Sequence, residues 1–473
     1  MQPPHRSPIA LRASASLCAA QLCACTVAAP EREPLPLQDV APFSAESKGS
    51  APVARWWTAF EDLELETHLE AALAGSFTLE EAWQRVLAAE AIVQRTASVR
   101  RPFIDGRAGL ARSDSEPGNS AREVSLGLSA GFEVDLWGRI ADAVDAEELR
   151  STATAQDLHA AAITLSADYT RAWYQLAHAR LERELVESQI ETNALVLEVL
   201  ELRFAVGQSG SADVLRQRQL VEASREQLLV LDARAAVLEH LLATLAGRAP
   251  QDASFPADKL PTLPSKPAPG APAELLQRRP DVTAAWLALA AADADVAVAA
   301  KARYPRIQVS AALTTFAEDP AELFNDWLAQ LAADLVVPLI DGGDRAAEVE
   351  RSVAVRRQLL AAYGNVVLAA LAEVEDALAL ETAATARIAS LRTQVELAVV
   401  TESRLRQQYL NGAADFLDML SALRTEQALR RDLLSAQLDR VLQRIGLHRA
   451  LAGGFELPQT ARETADAAPP PDP

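Results

Sequence analysis

Cysteine is nearly absent: all three, Cys18, Cys23 and Cys25, fall in the first 25 of 473 residues. That excludes a disulfide framework or a cysteine metal site in the body of the chain. Aromatic residues are scarce at 5 %, and there are two methionines. Basic charge is outnumbered, 45 Lys and Arg against 65 Asp and Glu, for a net charge of −20. Nucleic-acid binding needs a basic face, so phosphate-backbone partners are excluded. No run reaches the roughly 20 uninterrupted apolar residues of a membrane-spanning helix. The histidines at 68, 159, 178, 240 and 448 show no paired spacing, and no phosphate loop or nucleophile motif is present. Enzyme chemistry therefore finds no support, and neither a metal nor a cofactor is expected. Proline is missing between Pro117 and Pro250 and again between Pro338 and Pro458, which leaves both stretches free to form unbroken helix.

What is present is a duplication. Arg278 to Leu313 reads as a helix running into a strand with Pro305 at the joint, and Ser76 to Leu110 repeats it. Trp83 answers Trp286 and Pro102 answers Pro305, both at an offset of 203. Further along, Gly207 answers Gly412 and Asp213 answers Asp418 at an offset of 205. Self-similarity of this kind means two copies of one structural unit.

The N-terminus, residues 1–24, reads as a secretory signal, with Arg6 and Arg12 before a short apolar run. Residues 25–54 are a proline- and acid-rich tether. The first repeat covers 55–247, with a hairpin at about 107–136, a long helix at about 138–205 and a return helix at about 212–247. A proline-rich linker, 248–273, separates it from the second repeat, 274–456, with a hairpin at about 306–340, a long helix at 343–410 and a return helix at 415–452. Residues 457–473 have the composition of a disordered tail. Trp56 and Trp57 read as core anchors, and Thr78 with Glu81 as a capping box. Arg107 to Ala111 is a weak strand. Val124, Leu126, Leu128, Ala130, Phe132, Val134 and Leu136 alternate with small or polar residues over about 13 positions, longer than the usual strand of about 5–6.

The fold class is thus mainly α with a small β part. Strands of this length with one apolar face suit a transmembrane barrel. Four strands cannot close one, and open edges are forbidden in hydrocarbon. Two copies give 8 strands, which fill with their own side chains, so a conduit needs at least three copies and 12 strands. Each long helix spans on the order of 100 Å and has too many Arg and Glu for lipid; such helices pack side by side around a wet lumen.

The pieces Leu22–Cys25, Trp56-Trp57 with Phe60 and Asp62, Phe132 to Arg139, Leu275 to Asp281, Tyr304-Pro305, Leu339 to Gly343 and Leu451 to Gly454 carry a resemblance. The chain resembles the TolC-type outer-membrane efflux family in its OprM/NodT lipoprotein branch. The resemblance implies long α-helical hairpins forming a trimeric periplasmic tunnel, with four strands per chain in a 12-strand barrel in the outer membrane of a Gram-negative bacterium. It implies a lipid on Cys25, a periplasmic adaptor, and an inner-membrane pump, usually of the resistance-nodulation-division class. It places a periplasmic gate at Tyr409, Leu417 and Arg424, with Ser421 where the family has aspartate. Asp418, three residues earlier, either supplies a ring of carboxylates or serves its helix start, as Asp213 does. Gly207, Asp213 and Gly412 mark the helix turns that meet the adaptor. The expected function is a passive conduit for small molecules. The alternatives are an exit duct for protein export with an ATP-driven pump, or a coiled-coil lipoprotein without a pore. Two methionines and no histidine cluster argue against a metal-specific cargo.

Overall fold

The computed structural model describes residues 41–43, 55–115, 119–251 and 253–451. After a 3-10 turn at Trp56–Phe60 come α1 (Leu63–Gly75), α2 (Phe77–Ser98), β1 (Phe103–Ser115), β2 (Asn119–Val134), α3 (Arg139–Ala205) and α4 (Ser211–Leu245). The second half supplies α5 (Pro272–Arg278), α6 (Pro280–Lys301), β3 (Arg306–Ala317), β4 (Leu328–Val336), α7 (Asp344–Leu410) and α8 (Phe416–Leu451). The two longest helices, α3 and α7, have 67 residues each. Among the described residues two compact units emerge, 92–149 with 289–361, and 55–91 with 150–288 and 362–451.

The first unit is built on a four-stranded antiparallel sheet in the order β1-β2-β3-β4. The first strand is longer than the five residues the pattern gave it, running 13 residues from Phe103. Gly106, Ala108 and Gly109 hide it by composition, but β2 pairs with every one of its residues. At the other end β2 stops at Val134, because Leu136 turns back to donate its N–H to the Val134 carbonyl (2.9 Å). The joints between strand and helix are tied by side chains. Trp137 Nε1 donates to the Pro305 carbonyl (2.7 Å), and its ring lies 5.1 Å from Tyr304. Arg139 pairs with Glu133 at 2.8 Å and Lys301 with Asp142 at 2.6 Å. Although α6 has the length and hydropathy of a membrane span, its Asp293 pairs with the buried Arg356 and its Ala291, Ala292 and Val296 are buried.

The second unit is helical. From Ala162 to Ala179, α3 carries Ala162, Ala167, Tyr169, Ala172, Trp173, Tyr174, Leu176 and Ala177, each at most 1 % exposed. Small residues let neighbouring backbones approach there, which is why so alanine-rich a stretch forms the core. Trp56, Trp57 and Phe60 pack against it as anchors. Trp56 Nε1 reaches Ser166 Oγ (3.3 Å), and Trp173 Nε1 reaches Asp62 Oδ2 (3.2 Å). Asp62 also caps α1, accepting the Leu65 N–H. Thr78 is not a cap. Ser76 ends α1 in an extended conformation, and its carbonyl already accepts the Glu80 N–H, so α2 starts at Phe77 and Glu81 pairs with Arg85 instead.

The linker is strapped down. Arg180 donates to the carbonyls of Phe255 and Ala257 (2.9 Å to the latter) and pairs with Glu239 at 2.6 Å. Arg444 donates to the carbonyls of Pro264 (2.7 Å) and Ser265 and pairs with Glu381. In the family-like Arg279-Pro280-Asp281 segment, Arg279 is 7 % exposed and bonds Asp281, Glu373 and the Ala450 carbonyl. That ties the start of α6 to α7 and α8.

Candidate functional site

Two regions carry the expected function. The sheet has two chemically distinct faces, fixed by register. Ile104, Ala108 and Leu110 stand on the same face as Leu126, Leu128, Phe132, Val309, Leu313, Leu331 and Leu335. Of these, Leu110 and Leu331 are each 79 % exposed. Asp105, Arg107, Ser129, Glu133, Gln308, Ser310, Gln330 and Asp334 share the opposite face, where a cavity opens over β1, β2 and β3. Among the described residues neither β1 nor β4 has a second strand partner.

The second region is where each long helix turns into its return helix. Gly207 and Gly412 have φ of 79° and 73°, left-handed values that disfavour any residue with a Cβ. Gln208 N–H donates to the Arg203 carbonyl and Ala413 N–H to that of Gln408, both at 2.8 Å, so the two helices end in the same motif. The Tyr409 ring lies tilted against Phe416 at 5.8 Å, over a core of Leu200, Val214, Leu220, Met419 and Leu420. Leu417, Asp418, Ser421 and Arg424 are exposed. Asp418 and Ser421 line a groove of about 580 Å³ between α7 and α8, with Gln394, Leu397 and Thr401. Asp418 and Arg424 have no ion-pair partner among the described residues, whereas Asp213 pairs with Arg216 at 3.1 Å. Neither aspartate is an N-cap. Gly210 caps α4, and the Asp415 carbonyl accepts the first bond at the start of α8, so both acids sit in the first turn, where they face the positive end of the helix dipole.

Sequence reasoning missed Arg203. It donates to the carbonyls of Tyr409 (3.5 Å) and Leu410 (3.0 Å), and its guanidinium lies 4.8 Å over the Tyr409 ring. The first long helix thereby caps the end of the second. The signal was in the duplication: at an offset of 205 the partner of Arg203 is Gln408, so the halves differ there. Cys25 lies outside the described residues.

A family model described as outer membrane efflux protein matches residues 68–248 and 271–453, one segment in each half. The chain belongs to the outer membrane efflux protein family. Its relatives include the pyoverdine export outer membrane protein OpmQ of Pseudomonas aeruginosa, 31 % identical over 88 % of this chain and 90 % of the relative. The cation efflux system protein CusC of Escherichia coli is 28 % identical, over 85 % of this chain and 89 % of its own length. The outer-membrane channel OprN superimposes with a TM-score of 0.83 at 27 % identity, covering 91 % of this chain and all of OprN. The outer membrane protein VceC of Vibrio cholerae gives 0.79 at 26 % identity, with 86 % and 100 % covered. As a member of this efflux family, the chain is an outer-membrane channel component of an efflux system, with the fold of its solved relatives: helical tunnel wall and strands of a barrel.

Proposed function

We propose that three copies close a 12-strand barrel and conduct small molecules passively across the outer membrane. A periplasmic adaptor and an inner-membrane pump of the resistance-nodulation-division class supply the energy. The observation that carries this reading is the sheet: one apolar face, one polar face and two edges with no further strand partner among the described residues. Such a sheet is satisfied in hydrocarbon only as part of a closed barrel. The relatives' names point to small cargo of several chemistries, from pyoverdine to cations. No catalytic step and no cofactor is required. Light scattering in detergent should give three chains per particle, with ion conductance in planar bilayers. A monomer that conducts would overturn the reading.

The N-terminus is held by lipid on Cys25, since acyl chains contribute about 0.8 kcal/mol per buried CH₂. Cells fed a fatty-acid analogue should label the native protein and not Cys25→Ser. Equal labelling of both removes the anchor from the reading.

The gate lies at the turn of α7 into α8. Three Asp418 carboxylates around a narrow axis repel one another unless cations offset them. Asp418→Ala should therefore raise resting conductance and weaken block by divalent cations, and Asp213→Ala should do less. Arg203→Gln should also raise resting conductance, by freeing the end of α7. Unchanged conductance and block in Asp418→Ala leaves that acid with its dipole role alone.

A further inference from the structure

The cavity on the polar face of the sheet has a volume of about 610 Å³, within the roughly 300–1,000 Å³ of small-molecule sites. Arg101, Phe103, Asp105 and Arg107 line it from alternate positions along one stretch of chain. Phe103 is 59 % exposed, among Ser129, Gly131, Gln308 and Ser310. An aromatic ring left in a wet, polar wall forgoes burial that elsewhere stabilises the fold. Its placement is specific: a Cβ at residue 131 would come within 2.5 Å of the Phe103 ring, so the glycine opposite it in register is what lets the ring lie down on the strand.

The charges point the same way. The guanidinium groups of Arg101 and Arg107 have no hydrogen-bond or ion-pair partner among the described residues. Glu133, the nearby acid, is paired with Arg139 at 2.8 Å, which leaves Asp105 as the one uncompensated carboxylate among the lining residues. The cavity is therefore net positive in a chain of net charge −20. An anion crossing an acidic conduit meets repulsion, and unpaired guanidinium groups offer it a foothold.

We propose that this cavity is a binding step for aromatic monocarboxylates in transit, the ring stacking on Phe103 and the carboxylate pairing with Arg107 or Arg101. Asp105, on the same strand face, repels a second negative charge and so disfavours dianions. The proposal rests on the conduit reading and adds a cargo class to it.

The probe is salicylate, with the full-length protein in detergent. Saturation-transfer NMR should show transfer to its ring protons, and unlabelled benzoate should compete while acetate does not. Phe103→Leu and Arg107→Gln should each weaken binding about three- to tenfold, and Phe103→Tyr should keep it. Arg107→Gln leaves the Phe103–Gly131 contact alone, so it tests the site even if Phe103→Leu fails to fold. No transfer in the native protein, equal binding in every variant, or displacement by acetate overturns the proposal. Bilayer conductance on the same preparations separates the two readings. A protein that conducts without binding salicylate loses only this site, and one that does not conduct loses the conduit.

Discussion

Replacing Arg444 with leucine is expected to cost about 3–5 kcal/mol of stability, because it strands a buried carboxylate. The Arg444 side chain is 1 % exposed and that of Glu381 0 %, and the guanidinium also holds the carbonyls of Pro264 and Ser265. Glu381→Gln should cost a similar amount. The double replacement Arg444→Met with Glu381→Leu should lose less than either single one, since a buried pair removed whole is far cheaper than one left broken. Arg180→Leu should lose less, because its pair with Glu239 is a quarter exposed, with side chains 28 % and 21 % accessible. Thermal unfolding in detergent checks all four. A double variant as weak as the sum of the singles would mean that the strap on the linker, rather than the charge pair, carries the stability.

Acid should unfold the helical unit through two buried imidazoles. His178 and His448 are 2 % and 6 % exposed, and no ring nitrogen of either has a hydrogen-bond partner. Burial pushes both down from 6.5 to about 4, helped by Arg234 at His178 and by Arg444 at His448. In the unfolded chain each takes up its proton near pH 6.5. Between about pH 6.5 and pH 4 the unfolded state therefore binds more protons. Stability is full above that window and falls as pH drops through it, by on the order of 3 kcal/mol per imidazole. His448→Phe keeps the stacking on Trp56, now 5.4 Å between rings, and should flatten the acid limb. Thermal midpoints across pH decide it: identical acid limbs in His448→Phe and the native chain would rule out His448 as a source.

The sequence made the architecture legible because the periods are unambiguous. Alternation from Val124 to Val134 and the proline-free stretches left little choice of element. What stayed hidden depended on tertiary partners. Phe103 to Gly106 is strand because β2 pairs with it, and glycine and charge mask that in one dimension. Ser76 rather than Thr78 stands before α2 because α1 ends on it. Residues 248–273 read only as a proline-rich linker, yet Arg180 and Arg444, both distant in sequence, fix them. At the helix turns, Gly207 and Gly412 were legible from the backbone demand each meets. Arg203 was not, since its role lies in carbonyls about 206 residues away.

The open edges of the sheet have a consequence for biogenesis. One free chain carries a 13-residue strand at one side and a 9-residue strand at the other, each with a row of backbone groups that no other strand among the described residues pairs with. In lipid those rows are intolerable, and in water they are templates for wrong partners. If three copies close the barrel, as proposed, assembly becomes a mass-action problem: the yield of finished pores should rise steeply with chain supply, and a slow chain is exposed to aggregation for longer. Substitutions in β1 and β4 should then act first on how many pores form, before they change what a formed pore conducts.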